Sequence, residues 1–182
     1  MMTVMHARAM PDSPTLVLFN YDWDRAGFAR WREHFPVDGA GFDLFSFPSN
    51  LRLAGFDLER FVDRLARRAR RRGWRGVTSN HEQFGALAAA LLAERMGWPG
   101  TPVAAVLACQ HKLHARRVLE EVAPEANVPF QPLSTRYGEP IPEGLAYPCF
   151  AKPVKAAFSV LARTVHNREE LAALTRFYPW EL

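Results

Sequence analysis

Strand-like and helix-like stretches alternate along this chain, a pattern that admits few folds other than a parallel sheet with helices packed on it. The run Thr15-Leu16-Val17-Leu18-Phe19 is short and mostly apolar, as a central parallel strand should be. A polar loop, residues 20–24, leads into a helix predicted around residues 26–34. Residues 42–47 read as a second strand, residues 58–72 as a helix and residues 76–79 as a third strand. The clearest helix is predicted over residues 81–96, with Asn80 as N-cap, Gln83 completing a capping box, and Gly97 as the stop.

The second half has a different texture. Thr101-Pro102 resembles a helix start, and a further helix is predicted over residues 110–122. Proline and glycine dominate residues 124–148, which reads as loop around a strand near residues 130–134. Residues 149–154 and 160–165 read as two strands able to pair as a hairpin. Asn167 and Glu170 then form a capping box for a helix over residues 168–177. The expected fold class is α/β: an open, Rossmann-like parallel sheet followed by a small α+β unit with an antiparallel hairpin. The expected division is a loose arm at 1–14, an α/β domain at 15–108 and a second domain at 109–182.

Composition narrows the functional classes. The 182 residues are 48% apolar and 23% charged, ordinary values for a globular chain. Two cysteines, Cys109 and Cys149, make no disulfide framework or zinc spacing, which suits a reducing cytoplasm. No apolar run approaches a bilayer span, so no membrane partner is expected. The opening residues lack the apolar block of a signal peptide.

A net charge of +4 hides a cluster: Arg64, Arg67, Arg68, Arg70, Arg71, Arg72 and Arg75. With Trp74 as a stacking ring, this can be a nucleic-acid patch. The simpler reading is structural. Asp57 caps a helix with an apolar stripe of Leu58, Phe61, Val62, Leu65 and Ala69, and the arginines fill its solvent face and last turn.

Tyr147-Pro148-Cys149-Phe150-Ala151-Lys152-Pro153-Val154 carries the most specific chemistry. By period-two alternation Cys149 and Ala151 share one face, and Phe150 and Lys152 the other. Pro153 biases Lys152 towards an extended conformation, so the strand ends by holding one lysine in a fixed place. The Thr78-Ser79-Asn80-His81-Glu82-Gln83 helix start comes first in the chain. The Met96-Gly97-Trp98-Pro99-Gly100 stop and the Cys109-to-Leu119 segment follow it, and the lysine strand comes last. In that order, over roughly residues 74–175, these segments resemble the ATP-grasp superfamily, whose complete members are mostly ATP-dependent carboxylate–amine or carboxylate–thiol ligases. The resemblance implies a pre-ATP-grasp α/β domain followed by the first ATP-grasp subdomain.

The same resemblance implies roles for particular residues. Lys112, at the head of its helix, and Lys152, at the end of its strand, are expected to reach the ATP phosphates, where ammonium groups give charge-assisted hydrogen bonds. The family's phosphate flap is glycine-rich, whereas here it reads Lys155-Ala156-Ala157-Phe158-Ser159. That loop is expected to be stiffer and to offer fewer free amides, with Lys155 as a third cation and Ser159 as a hydroxyl donor. Glu82 is the candidate on the substrate side, for a small carboxylate substrate, and it equally suits a first-turn glutamate. Magnesium would accompany ATP through ligands of a later subdomain. The chain is therefore expected to be the front half of an enzyme working through an acyl phosphate, without catalysis of its own. An apolar face at Phe158, Phe177, Tyr178 and Trp180 would then favour self-association.

Other sites are excluded or weaker. No G-x-G-x-x-G follows the first strand, and no Walker lysine motif occurs. His111 and His114 are three apart without a supporting carboxylate set. Asn20, Asp22 and Asp24 suit metal or substrate contact and loop capping alike. The alternative functions are a nonenzymatic binding module and, as a lesser reading, a nucleic-acid binder through the arginine cluster.

Overall fold

Strand β1 (Thr15–Leu18) is the centre of a three-stranded sheet, flanked by β2 (Val37–Ala40) and β3 (Val77–Ser79), and both pairings are parallel. Leu16 of β1 lies opposite Asp38 on one side and Val77 on the other. The computed structural model describes residues 13–31, 33–82, 84–134, 140–155, 159 and 161–177. It divides into two compact units, Met1–Leu107 and Ala108–Leu182.

In the first unit α1 (Asp22–Arg30) follows β1, α2 (Leu58–Arg72) follows β2, and α3 (Phe84–Met96) follows β3. Leu16, Leu18, Phe19, Val62, Ala88 and Leu92 make a core without solvent contact. Helix α2 has the expected bounds. Asp57 Oδ1 accepts from the Arg60 N–H at 2.9 Å, and Gly73 ends the helix at φ 70°. A residue with a Cβ is strained at that φ, which is why glycine stops helices there.

Three expectations in this unit are corrected. The second strand is Val37–Ala40, and residues 42–47 are loop, although Phe42 and Leu44 are buried in the core. Asp43 explains the loop: its carboxylate accepts from the N–H groups of Phe45 and Ser46 and from the Ser46 hydroxyl, a local pattern that competes with a strand ladder. The first helix is Asp22–Arg30, not 26–34, because the Asp24 carboxylate turns back to the Tyr21 N–H and starts it early. Helix α3 begins at Phe84, capped by His81 rather than Asn80: His81 Nδ1 accepts from the N–H groups of Phe84 and Gly85. Gln83 lies outside the described residues.

The arginines of α2 are exposed, while Trp74 is buried and gives its indole N–H to Asp38, with Arg68 over its ring at 5.4 Å. That ring is not available to stack on a base. Replacing Arg68 and Arg71 by glutamine is expected to change stability by under about 1 kcal/mol, as exposed charges usually do. Urea unfolding checks this, and a tenfold fall in nucleic-acid affinity would reinstate the patch.

Helix α4 (Val103–Gln110) begins just after Pro102, its Val103 N–H held by the Glu94 carboxylate at 2.7 Å. The second unit contains α5 (Lys112–Val122), the antiparallel pair β4 (Cys149–Ala151) and β5 (Arg163–Val165), and α6 (Arg168–Phe177). Its core is Ile141, Val165 and Leu171, with Cys149 and Ala151 packed against them. Residues 130–134 form no strand; they run beside the hairpin unit as loop. At α6 the Glu170 N–H goes to Asn167 Oδ1 at 2.8 Å, as a cap should. The Glu170 carboxylate reaches one residue further back, to the His166 N–H at 2.8 Å.

Candidate functional site

In the second unit the head of α5 is fastened to the strand carrying the candidate lysine. The Lys112 N–H donates to the Val154 carbonyl at 3.0 Å, two residues beyond Lys152. His111 caps this helix through Nδ1, accepting from the His114 N–H at 3.2 Å, so the two histidines are engaged in a local turn. Alternation along β4 turns Cys149 and Ala151 to the core and leaves Phe150 and Lys152 on the other face.

Lys112 and Lys152 both line a cavity of about 750 Å³. Its walls are largely apolar, with Leu113, Val128, Phe130 and Leu161 among them. Sequence reasoning missed Arg116, one turn beyond Lys112, which also lines the cavity. Its guanidinium donates to Asn127 Oδ1 at 3.1 Å, and Asn127 Nδ2 returns to the Arg116 carbonyl at 3.0 Å. The i, i+4 spacing of Lys112 and Arg116 was the available signal.

Lys155 is exposed and is not among the lining residues, nor is Ser159. Ala156, Ala157, Phe158 and Val160 of the flap lie outside the described residues, as do Tyr178, Trp180 and the side chain of Phe177. Ser159 and Leu161 adopt φ values of 56° and 58°. The turn thus takes the left-handed conformation usual for glycine without having one, at about 1–2 kcal/mol per residue.

In the first unit Glu82 stands in the loop after β3, exposed, at the carboxyl edge of the sheet. The loops after β1 and β2 supply its neighbours. Tyr21 stacks on Trp23 at 4.5 Å and on Phe45 at 5.5 Å between centroids, and His81 lies 5.9 Å from Phe45 and 6.4 Å from Tyr21. Asn80 Nδ2 donates to Asp24 Oδ1 at 2.7 Å, tying the third loop to the first. Asn20 is 9% exposed, and its Oδ1 has no hydrogen-bond partner among the described residues.

The electrostatics of this edge are negative. Burial first, then Asp43, Asp24 and Glu82, push the Tyr21 phenol above its ordinary value. Burial pushes the Asp43 carboxyl up, but hydrogen bonds from Phe45 and Ser46 outweigh it and hold the group below the usual carboxylate range. Burial lowers His81, against an opposing pull from Glu82. Among the described residues no group of three His, Cys, Asp or Glu side chains is placed to hold a metal ion. No described helix is long and apolar enough to cross a membrane.

No protein-family model and no curated protein matches this chain. Its fold is similar to the crystal structure of an L-amino acid ligase from Bacillus licheniformis, with a TM-score of 0.65 and 21% sequence identity. The similarity covers 92% of this chain and 42% of the ligase chain, so these residues span well under half of that enzyme's length. An open parallel α/β sheet followed by a small unit with an antiparallel hairpin is the fold the two chains share.

Proposed function

We propose that this chain supplies the nucleotide-holding portion of an ATP-grasp ligase, one that joins a small carboxylate substrate to an amine or thiol. The observation that carries the reading is the hydrogen bond from Lys112 to Val154, which brings the head of α5 and the Lys152 strand to one cavity. The fold shared with an amino acid ligase agrees with it.

The residues present fit a nucleotide. Lys112 and Lys152 would hold its phosphates, and the apolar wall with Val128, Phe130 and Leu161 suits a purine. Bound ATP would supply the phosphoryl group that activates the carboxylate. The lysines' part is to neutralise and orient the phosphates, with Arg116 held back by Asn127. The donors around this cavity are cationic and suit phosphate oxygens, not a magnesium ion, so no metal role is assigned to them. Ligation by these residues alone is not part of the proposal. The two free cysteines fit a cytoplasmic setting.

Calorimetric titration of ATP tests the reading. Lys152→Ala is expected to weaken binding roughly tenfold or more, since a charge-assisted hydrogen bond contributes about 1.5–3 kcal/mol. Lys155→Ala, outside the cavity wall, is expected to have a smaller effect. Equal affinities in wild type and both variants would remove Lys152 from the site. Failure of the wild type to bind nucleotide at all would favour a nonenzymatic module.

A further inference from the structure

The carboxyl edge of an open parallel sheet is where such folds place ligands, usually anions held by the N–H groups of helix N-termini. In the first unit those donors are already taken. The Tyr21 N–H at the start of α1 goes to Asp24, and the Phe84 and Gly85 N–H groups of α3 go to His81. Burial disfavours a charge on His81, and a proton added to Nδ1 would displace both of those donors.

What remains at this edge attracts cations. Asp22, Asp24, Asp43 and Glu82 gather there; Arg25 faces Asp22 at 3.6 Å, and Arg52 lies over the Phe42 ring. The local sign runs against the +4 charge of the whole chain. Trp23 and Phe45 stack on the buried Tyr21 yet stay 68% and 53% exposed, so their outer surfaces are open to solvent. Aromatic faces are negative and bind cations, most strongly on tryptophan. Asn20, the residue before Tyr21, adds a buried acceptor without a partner, an uncommon expense in a fold.

We propose that this edge binds a flat organic cation of the guanidinium class, stacked on Trp23 and paired with Glu82. A planar guanidinium suits the site better than a round ammonium, because it stacks on a ring while its N–H edge reaches a carboxylate. The site belongs to the first unit and does not depend on the nucleotide reading of the second.

Titration of the whole chain with L-argininamide, followed by tryptophan fluorescence and calorimetry, tests it against citrullinamide, the matching compound whose urea group is uncharged. Saturable binding of argininamide is expected, with citrullinamide about tenfold weaker or worse. Trp23→Ala is expected to weaken binding about fivefold, and the Trp23→Ala/Glu82→Gln double variant about tenfold or more. Both side chains are exposed, so the variants should fold, and unchanged circular dichroism checks that. Lys152→Ala should leave argininamide binding intact, which separates this site from the nucleotide cavity. Equal binding of the two amides, wild-type affinity in the double variant, or no saturable binding would overturn the proposal.

Discussion

Replacing Phe19 by alanine is expected to lower the stability of the first unit by about 3–5 kcal/mol, the range for deleting a fully buried phenylalanine. Phe19 has no solvent exposure and lies 5.2–5.9 Å, centroid to centroid, from Phe42, Phe56, Phe61 and Phe84. Those four rings come from the loops and helices after all three strands, so one side chain ties β1 to everything built around the sheet. The surrounding rings cannot close the gap easily. The site is also braced from the backbone: the Phe19 N–H donates to the Ala40 carbonyl at 2.8 Å, and its φ is 54°. A non-glycine residue keeps such a φ only where packing compels it. A Cβ at Gly41 would come within 2.8 Å of the Phe19 ring, so the bend after β2 is shaped to admit it. Urea unfolding followed by circular dichroism and tryptophan fluorescence measures the loss. Phe19→Leu should retain more than half of it, since most of the apolar volume stays. A loss under about 1 kcal/mol for Phe19→Ala would mean the ring cluster is not the centre of this core.

How far the fold was legible depends on whether local chemistry and burial agree. Helix α2 was readable to its bounds because Asp57, the apolar stripe and Gly73 all point the same way. Strand β2 was not: Val37-Asp38-Gly39-Ala40 holds only two apolar side chains and lies at a sheet edge. A Cβ at Gly39 would come within 3.2 Å of Asn20 Nδ2. The stronger apolar signal lay just after it, where Phe42 and Leu44 are core residues carried on a loop. His81 was passed over as a cap because histidine is not a favoured N-cap residue. Lys112 and Lys152 were singled out from segment order, and only the Lys112–Val154 hydrogen bond shows that their segments touch. Tyr21, Trp23, Phe45 and His81 come from three separate loops. No periodicity within one stretch of sequence could have assembled them.

Gly85→Ala is expected to destabilise the first unit by about 1–3 kcal/mol, the usual penalty for overpacking a tight site. In an open helix the same change gains about 0.5–1 kcal/mol, because alanine is the better helix former. Gly27 of α1 is such a place, with nothing within 4 Å of an added Cβ, so Gly27→Ala should stabilise the unit. At Gly85 the added carbon would meet Ser79 Oγ at 2.1 Å and the Cβ atoms of Ser79 and His81 at 2.9 Å. None of these is the far end of a flexible side chain. Ser79 Oγ donates to the Leu18 carbonyl at 2.9 Å and accepts from the His81 N–H at 3.1 Å, binding the end of β3 to the end of β1. His81 in turn caps the helix that Gly85 helps begin. The clash therefore falls on the joint that sets the third loop of the carboxyl edge. Removing the hydroxyl relieves the shortest contact, so Ser79→Ala/Gly85→Ala should be less unstable than the sum of its single variants. Thermal and urea unfolding of the four variants measure this. If Gly85→Ala gains as much as Gly27→Ala, the close approach of α3 to Ser79 is not part of the folded protein.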